Sequence, residues 1–390
     1  MLAEGVEKEE FIVHTGESQQ PTGVRTMNYR LLYQLEQMIA AHLPCLNSWQ
    51  QANVALFSYG VIQAESCQQG AVARQVSCGE RVESTGRRWR RFLDNVHFPM
   101  QTFFGQWIAW VVRALNTPVL TLLVDETKLG TRIAVMMVGV AWQGRCLPLV
   151  WRVYRANSAA DYPPEGQVGM IEGLLQTVKV NLPPGTQVLL LADRGIGTSP
   201  ALCRVVAGLG WHYLFRVTCQ SKIITTAGEL TIATQVQPGE IWAASGLVFK
   251  KRGHIPAHAR ALWSVGYDEP WALVTNDQRL TGHEYARRNW QEQSFRDLKS
   301  GGWHWGASRL RHPDHVARLL VLLVLAYTWM VALGSQAVAE GCAQSLIRRP
   351  DGTLRRAWSM FREGLRFFIE YVQRHTVCRG LVFIPDKRFT

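Results

Sequence analysis

Beyond Pro118 the chain alternates apolar runs with helical segments in an order that few folds accept. Residues 119–124 form a short apolar run ending at Asp125. Residues 133–142 and 146–154 are two further strand-like runs, and Gln143-Gly144-Arg145 between them is a good hairpin turn. A helical stretch follows at 166–180, broken by Asn181-Leu182-Pro183-Pro184-Gly185. Residues 187–192 read as a buried strand ending in Asp193-Arg194-Gly195, then a helix at 199–208 and a strand at 211–217. The order is three strands, helix, strand, helix, strand, which defines an α/β chain with a mixed sheet.

This layout resembles that of ribonuclease-H-like folds. Such a fold sets the first and fourth strands side by side and parallel, about 4.8 Å apart. Asp125 and Asp193 then stand at the carboxyl ends of neighbouring strands, where open α/β sheets place their sites, close enough to share a metal. Glu126 competes with Asp125 as the ligand, because side chains alternate along a strand and only one of the two can face the site. Residues 218–270 interrupt the pattern as a β-rich insertion. It holds apolar runs at 230–236, 241–249 and 261–265 and the basic stretch Lys250-Lys251-Arg252-Gly253-His254. A further strand at 271–275 leads to a helix opened by a capping box, Thr281 at the cap and Glu284 three residues on, and closed by Gly301-Gly302.

On that helix Tyr285, Arg288, Glu292 and Lys299 occupy positions 0, +3, +7 and +14. At about 100° per residue they fall within roughly 60° of one another on one face. One carboxylate, two cations and a phenol form a surface suited to holding a metal beside a phosphate chain. Hydrolysis of a phosphodiester needs an activated water and a stabilised leaving oxygen, and two Mg²⁺ ions about 3.5–4 Å apart supply both. Mg²⁺ takes oxygen ligands and retains water, so a few carboxylates suffice. Asp125, Asp193 and Glu292 have the right number and type. Each has an ordinary alternative: turn former or helix cap for the aspartates, solvated helix residue for the glutamate.

The spacing Tyr285-x2-Arg288-x3-Glu292-x6-Lys299, with Leu-Val-Asp125-Glu-Thr and Leu-Ala-Asp193-Arg-Gly upstream, resembles the signature and acid blocks of the insertion-sequence DDE transposases of the IS-four family. The likeness covers about residues 119–334. It implies a transposase that nicks DNA at the element's ends and joins the freed 3′-hydroxyl to target DNA. Asp125, Asp193 and Glu292 would be its catalytic and metal-binding acids, with two Mg²⁺ ions or Mn²⁺ in their place. Tyr285, Arg288 and Lys299 would contact DNA near the cut, with Arg296 beside them either on phosphate or in solvent. Some relatives stack a flipped base on a tryptophan of the insertion; Trp263 and Trp271 are the candidates here, with Trp303 and Trp305 just past the helix as further ones, and among 15 tryptophans a core role is favoured for any one. Double-stranded DNA and a second copy of the chain are the implied partners, with the N-terminal helices reading the element's ends and the C-terminal ones pairing protomers.

Outside this core, residues 1–26 read as a disordered leader and 27–117 as a helical DNA-binding region, with the catalytic core at 118–334 and a helical, Arg-rich region at 335–390. Arg87, Arg88, Arg90 and Arg91 surround Trp89; they form either a grip on DNA phosphates or a solvated helix face with Trp89, Phe92 and Leu93 turned inward. Residues 319–334, LLVLLVLAYTWMVALG, are almost wholly apolar. They are short for a spanning helix and have no second such segment beside them, which favours a helix buried in protein over a membrane anchor. The net charge of +12 favours polyanionic partners. The eight cysteines show neither C-x2-C spacing nor a zinc pattern, and the acidic N-terminal stretch lacks the features of a secretory signal. Both suit reduced thiols and a cytoplasmic, nucleoid-associated protein. Two other readings remain at this level: a ribonuclease-H-like nuclease that does not transpose, and a catalytically silent DNA-binding descendant of a transposase.

Overall fold

The structure is a computed structural model that describes residues 27–77, 81–156, 160–249, 253–343, 346–348 and 354–386. The leader at 1–26 and the basic residues Lys250, Lys251 and Arg252 lie outside the described residues. Three strands, β1 (Val119–Leu129), β2 (Ile133–Trp142) and β3 (Arg145–Arg155), pair as an antiparallel meander. β4 (Gln187–Ala192) runs parallel to β1 on its other side, in register from Val119↔Gln187 to Val124↔Ala192, and β5 (His212–Arg216) runs parallel to β4. The apolar runs are nearly continuous because both faces of these central strands are covered.

The insertion extends the same sheet. β6 (Lys222–Thr225), β7 (Gly228–Thr231), β8 (Ile241–Val248) and β9 (Ile255–Leu262) precede β10 (Trp271–Thr275), which pairs antiparallel with β5. The ten-stranded order is β3-β2-β1-β4-β5-β10-β9-β8-β6-β7. Its first five strands have the order and directions expected of a ribonuclease-H-like core. Two of the insertion's runs differ from expectation. Residues 232–235 form a 3₁₀ turn that buries Ile232, instead of continuing the strand from 230. β9 lies earlier than 261–265, because Gly266 turns the chain at positive φ and leaves Val265 exposed.

Helices α1 (Tyr29–His42), α2 (Ser48–Ala64), α3 (Gln69–Val76), α4 (Val82–Asp94) and α5 (Met100–Leu115) precede the sheet. They share one hydrophobic core with one face of the sheet, with α6 (Gly166–Val180) and with the long α10 (Pro313–Ala339). On α4 the buried stripe is Trp89, Phe92 and Leu93, as the spacing predicts. The apolar segment at 319–334 lies within α10, whose most apolar window is 94% buried inside the protein. Leu, Val and aromatic side chains surround it on every side, each worth about 1.5–3 kcal/mol when removed from water. α10 crosses α11 (Met360–Phe367) at a glycine pair, Gly334 and Gly364, where a Cβ on either would strike a backbone carbonyl oxygen of the other helix. The C-terminal region is less helical than its composition suggests. A short hairpin, β11 (Leu346–Arg348) with β12 (Leu354–Arg356), precedes α11; Pro350-Asp351-Gly352, between the two strands in sequence, are strong turn formers.

Candidate active site

β1 continues five residues past the end of its parallel pairing with β4, so Asp125 lies within the strand and not at its end. The parallel register stops at Val124↔Ala192; Asp125 is the next residue on β1, and Asp193 is the first residue past the end of β4. Leu123 and Leu191, two residues earlier, belong to a small apolar cluster on one face of the sheet with Cys146, Leu214, Leu262, Leu273 and Tyr285. The period-2 alternation therefore directs both aspartates to that face. Glu126 points the other way and accepts a hydrogen bond from the Tyr154 hydroxyl.

Each aspartate is fixed through one oxygen. Asp125 Oδ1 accepts from the Glu126 backbone N–H at 2.8 Å. Asp193 caps the short helix α7 (Arg194–Gly197), its Oδ1 accepting from the Ile196 N–H at 3.0 Å. Gly197 permits this turn, since a Cβ there would lie 2.6 Å from the Arg216 carbonyl oxygen. In both aspartates the second oxygen, Oδ2, faces the same guanidinium.

That guanidinium is Arg288. Residues His283–Arg288 wind as a 3₁₀ helix and pass into α9 (Asn289–Lys299), so the expected single α-helix is two helices in series. Gly282, and not Thr281, holds the cap position, at φ 101°; Thr281 Oγ1 still accepts from the His283 N–H at 3.3 Å, while the Glu284 side chain accepts from the Thr281 and Gly282 amides. At three residues per turn, Tyr285 and Arg288 eclipse and both point inward. Tyr285 packs edge-on against Trp271, with ring centroids 5.1 Å apart. α9 is held by its inward face: Gln291 Nε2 donates to the Met137 carbonyl at 3.1 Å, the Cys146 N–H to Ser294 Oγ at 2.7 Å, and Arg145 Nε to Asp297 Oδ2 at 2.6 Å. Glu292 is left on the flank with its side chain 60% exposed.

The three acids meet at Arg288 and not at a shared empty point. Nη2 lies 2.9 Å from Asp125 Oδ2 and 3.6 Å from Asp193 Oδ2, and Nη1 donates to Glu292 Oε1 at 2.9 Å. Among the described residues no three acidic, histidine or cysteine side chains are gathered as a metal cage. Burial pushes the Asp125 carboxyl up to about 7, against the lowering pull of Arg288 and with smaller upward pushes from Asp193 and Glu292. Burial acts to lower the Arg288 value, but Asp125, Tyr285 and the other two acids outweigh it, so the guanidinium is held more firmly protonated than usual. Lys299 is half-buried; burial lowers its value and the nearby Asp125 charge opposes the shift.

The remaining candidates fall into three groups. Arg87, Arg90, Arg91 and Arg296 are exposed, while Arg88 is half-buried and donates through Nε to Asn53 Oδ1 at 2.7 Å. Tyr285 and Arg288 are buried in this arrangement, away from any surface where a phosphate could reach them directly. Trp303 and Trp305 are fully buried and belong to the core, whereas Trp263 and Trp271 are partly exposed. The sequence patterns do not single out Arg194 and Arg216, which both pair with Glu269. Arg194 adjoins Asp193 in sequence and Arg216 ends the neighbouring parallel strand; these are the only signals, and nothing local marks Glu269.

The fold and site define an α/β protein with a mixed sheet in the strand order of a ribonuclease-H-like core, and with three acids, on β1, just past β4 and on α9, gathered at one guanidinium. The family model described as transposase DDE domain matches residues 153–329 and supports a DDE transposase. The matched stretch contains Asp193, Tyr285, Arg288, Glu292 and Lys299 and begins after Asp125. No curated protein matches the chain. Among solved structures, Kluyveromyces polysporus Argonaute with a guide RNA aligns over 63% of this chain and 34% of its own, with 11% identity and a TM-score of 0.17. This chain thus spans about a third of that protein, and so low a score carries no argument about fold.

Proposed function

We infer that this chain is the DNA transposase of an insertion sequence, cutting phosphodiester bonds at the element's ends and joining the 3′-hydroxyl to target DNA. The observation that carries the reading is the convergence of Asp125, Asp193 and Glu292, from three separate elements, on one guanidinium. Their donor chemistry fits a hard divalent ion such as Mg²⁺ or Mn²⁺: all oxygen, three carboxylates, two of them pinned through Oδ1 with Oδ2 directed into the site. Bound there, a pair of such ions supplies Lewis acidity for activating water and stabilising the leaving oxygen.

The chain's own residues do the rest. Asp125 lies on a paired strand and Asp193 directly after one, at the cap of α7, and each has one oxygen bonded to a backbone N–H. Glu292 is the adaptable member, exposed and on a helix. Lys299, beside Asp125, offers a cation to a backbone phosphate at the cut, and Arg87, Arg90 and Arg91 offer an exposed basic face to the flanking duplex. Arg194 and Arg216 extend the positive charge past Asp193. A homodimer pairing two element ends, and a cytoplasmic, nucleoid-associated location, complete the reading.

The test is cleavage of linear DNA carrying the element's own ends, in Mg²⁺ or in EDTA, by wild type and Asp193→Asn. Metal-dependent cuts at the ends that vanish in the variant are expected. End binding without cutting in any divalent metal would replace this reading with that of a silent DNA-binding descendant.

A further inference from the structure

Arg288 has an incomplete set of partners for a buried arginine. It is 6% exposed, and its two terminal nitrogens serve three carboxylates, yet its Nε is buried with no hydrogen-bond partner. A guanidinium with a purely structural task normally satisfies every donor of its fork, because an unpaired buried N–H costs about 1–3 kcal/mol. The acids are arranged around it in the same unfinished way. Asp193 is 3.6 Å from Nη2, beyond a good charge-assisted hydrogen bond, and the Glu292 side chain remains 60% exposed.

Three carboxylates gathered on one guanidinium repel one another, and a cation among them offsets that repulsion. In the metal-free protein that cation is Arg288. A divalent ion needs the same Oδ2 and Oε1 oxygens, and two positive charges cannot share them at contact distance without strong repulsion. We propose that Arg288 is the resident counter-cation of Asp125, Asp193 and Glu292, and that a divalent ion enters the site only by displacing its guanidinium, which then turns to an anionic oxygen. The proposal rests on the reading of these acids as metal ligands. It also accounts for a buried residue in a site meant for a polyanion: Arg288 is stored on the acids and is released by the ion that replaces it. Arg288 is thus a positioning residue for the acids before it meets any substrate.

The experiment uses the full chain without DNA. Mn²⁺ binding is followed by the electron paramagnetic resonance signal of the free ion, for wild type, Arg288→Gln and Arg288→Lys. Arg288→Gln should bind Mn²⁺ at least ten-fold more tightly than wild type, with Arg288→Lys between them. Equal or weaker binding in both variants overturns the exchange while leaving the acids as ligands. Absence of binding in all three proteins overturns the metal reading itself, and the exchange with it. A second measurement needs only wild type: phenylglyoxal labelling of Arg288, read by peptide mass spectrometry, in EDTA and in saturating Mn²⁺. Labelling should rise several-fold with the metal. An unchanged or reduced signal, with metal bound, also overturns the proposal.

Discussion

Arg288 Nη2 lies 2.9 Å from Asp125 Oδ2, and this contact joins the first strand of the sheet to the 3₁₀ turn 163 positions later in the chain. Around it the two other acids are arranged at 3.6 Å and 2.9 Å from the same guanidinium. The site is therefore an electrostatic knot as well as a candidate catalytic centre, and several measurable consequences follow from its geometry.

Glu292→Gln should abolish strand cleavage while leaving the fold and end binding nearly intact. The side chain is 60% exposed and its one ion pair is an i,i+4 contact on the flank of α9, so the stability change should stay within about 0.5 kcal/mol. Cleavage at the wild-type rate in a urea-stable variant would remove Glu292 from the chemistry.

Asp125 should make the metal-free protein less stable as pH rises from 5 to 8. Its carboxyl is held up to about 7 in the fold against an ordinary value of 3.8. Between those values the native state binds more protons than the unfolded chain, so the contribution is fully present below about pH 4 and is lost as pH climbs through 7. Asp125→Asn cannot ionise, and its stability relative to wild type should improve by on the order of 2 kcal/mol from pH 5 to pH 8 in EDTA. Urea melts of the two proteins at both pH values measure this; parallel pH profiles would contradict it.

Lys299→Ala should weaken binding of the element's end and lower the slope of log affinity against log salt by about one unit, as expected for one lost phosphate contact. Fluorescence anisotropy between 50 and 200 mM salt, roughly, spans the useful range. An unchanged slope would return Lys299 to a structural role beside Asp125.

Gly334→Ala should destabilise the protein by several kcal/mol, about 3 or more, because the added methyl meets the Met360 carbonyl oxygen where α10 crosses α11. The same argument holds for Gly364→Ala against the Met330 carbonyl oxygen. Thermal melts compared with Gly173→Ala, a helical position with open space around its Cβ, isolate the crossing. A similar, small change at both sites would mean that the two helices can move apart.

The sequence by itself determined the elements whose pattern is local. Apolar runs bounded by Gly, Pro and Asn located β4, β10 and α6 to the residue, because a strand buried on both faces and an amphipathic helix each leave a periodic trace. The spacing of Tyr285, Arg288, Glu292 and Lys299 and the two upstream aspartates were equally visible, since residue type and interval need no fold to be read. Tertiary structure decided what those residues touch. Nothing local tells that His283–Arg288 winds as a 3₁₀ helix, in which Tyr285 packs against Trp271. Which face of β1 meets Tyr154 and which meets Arg288 decided that Glu126 bonds the Tyr154 hydroxyl and Asp125 the guanidinium. The hairpin before α11 was hidden by an Arg-rich composition that suits a helix equally well. The meeting of three acids on Arg288 depends on strand pairing between segments 68 positions apart, as Asp125 and Asp193 are, and on α9 docking back over β2 and β3. Long-range pairing of this kind leaves no periodic trace in a sequence, because its energy comes from surfaces that exist only once the sheet has formed.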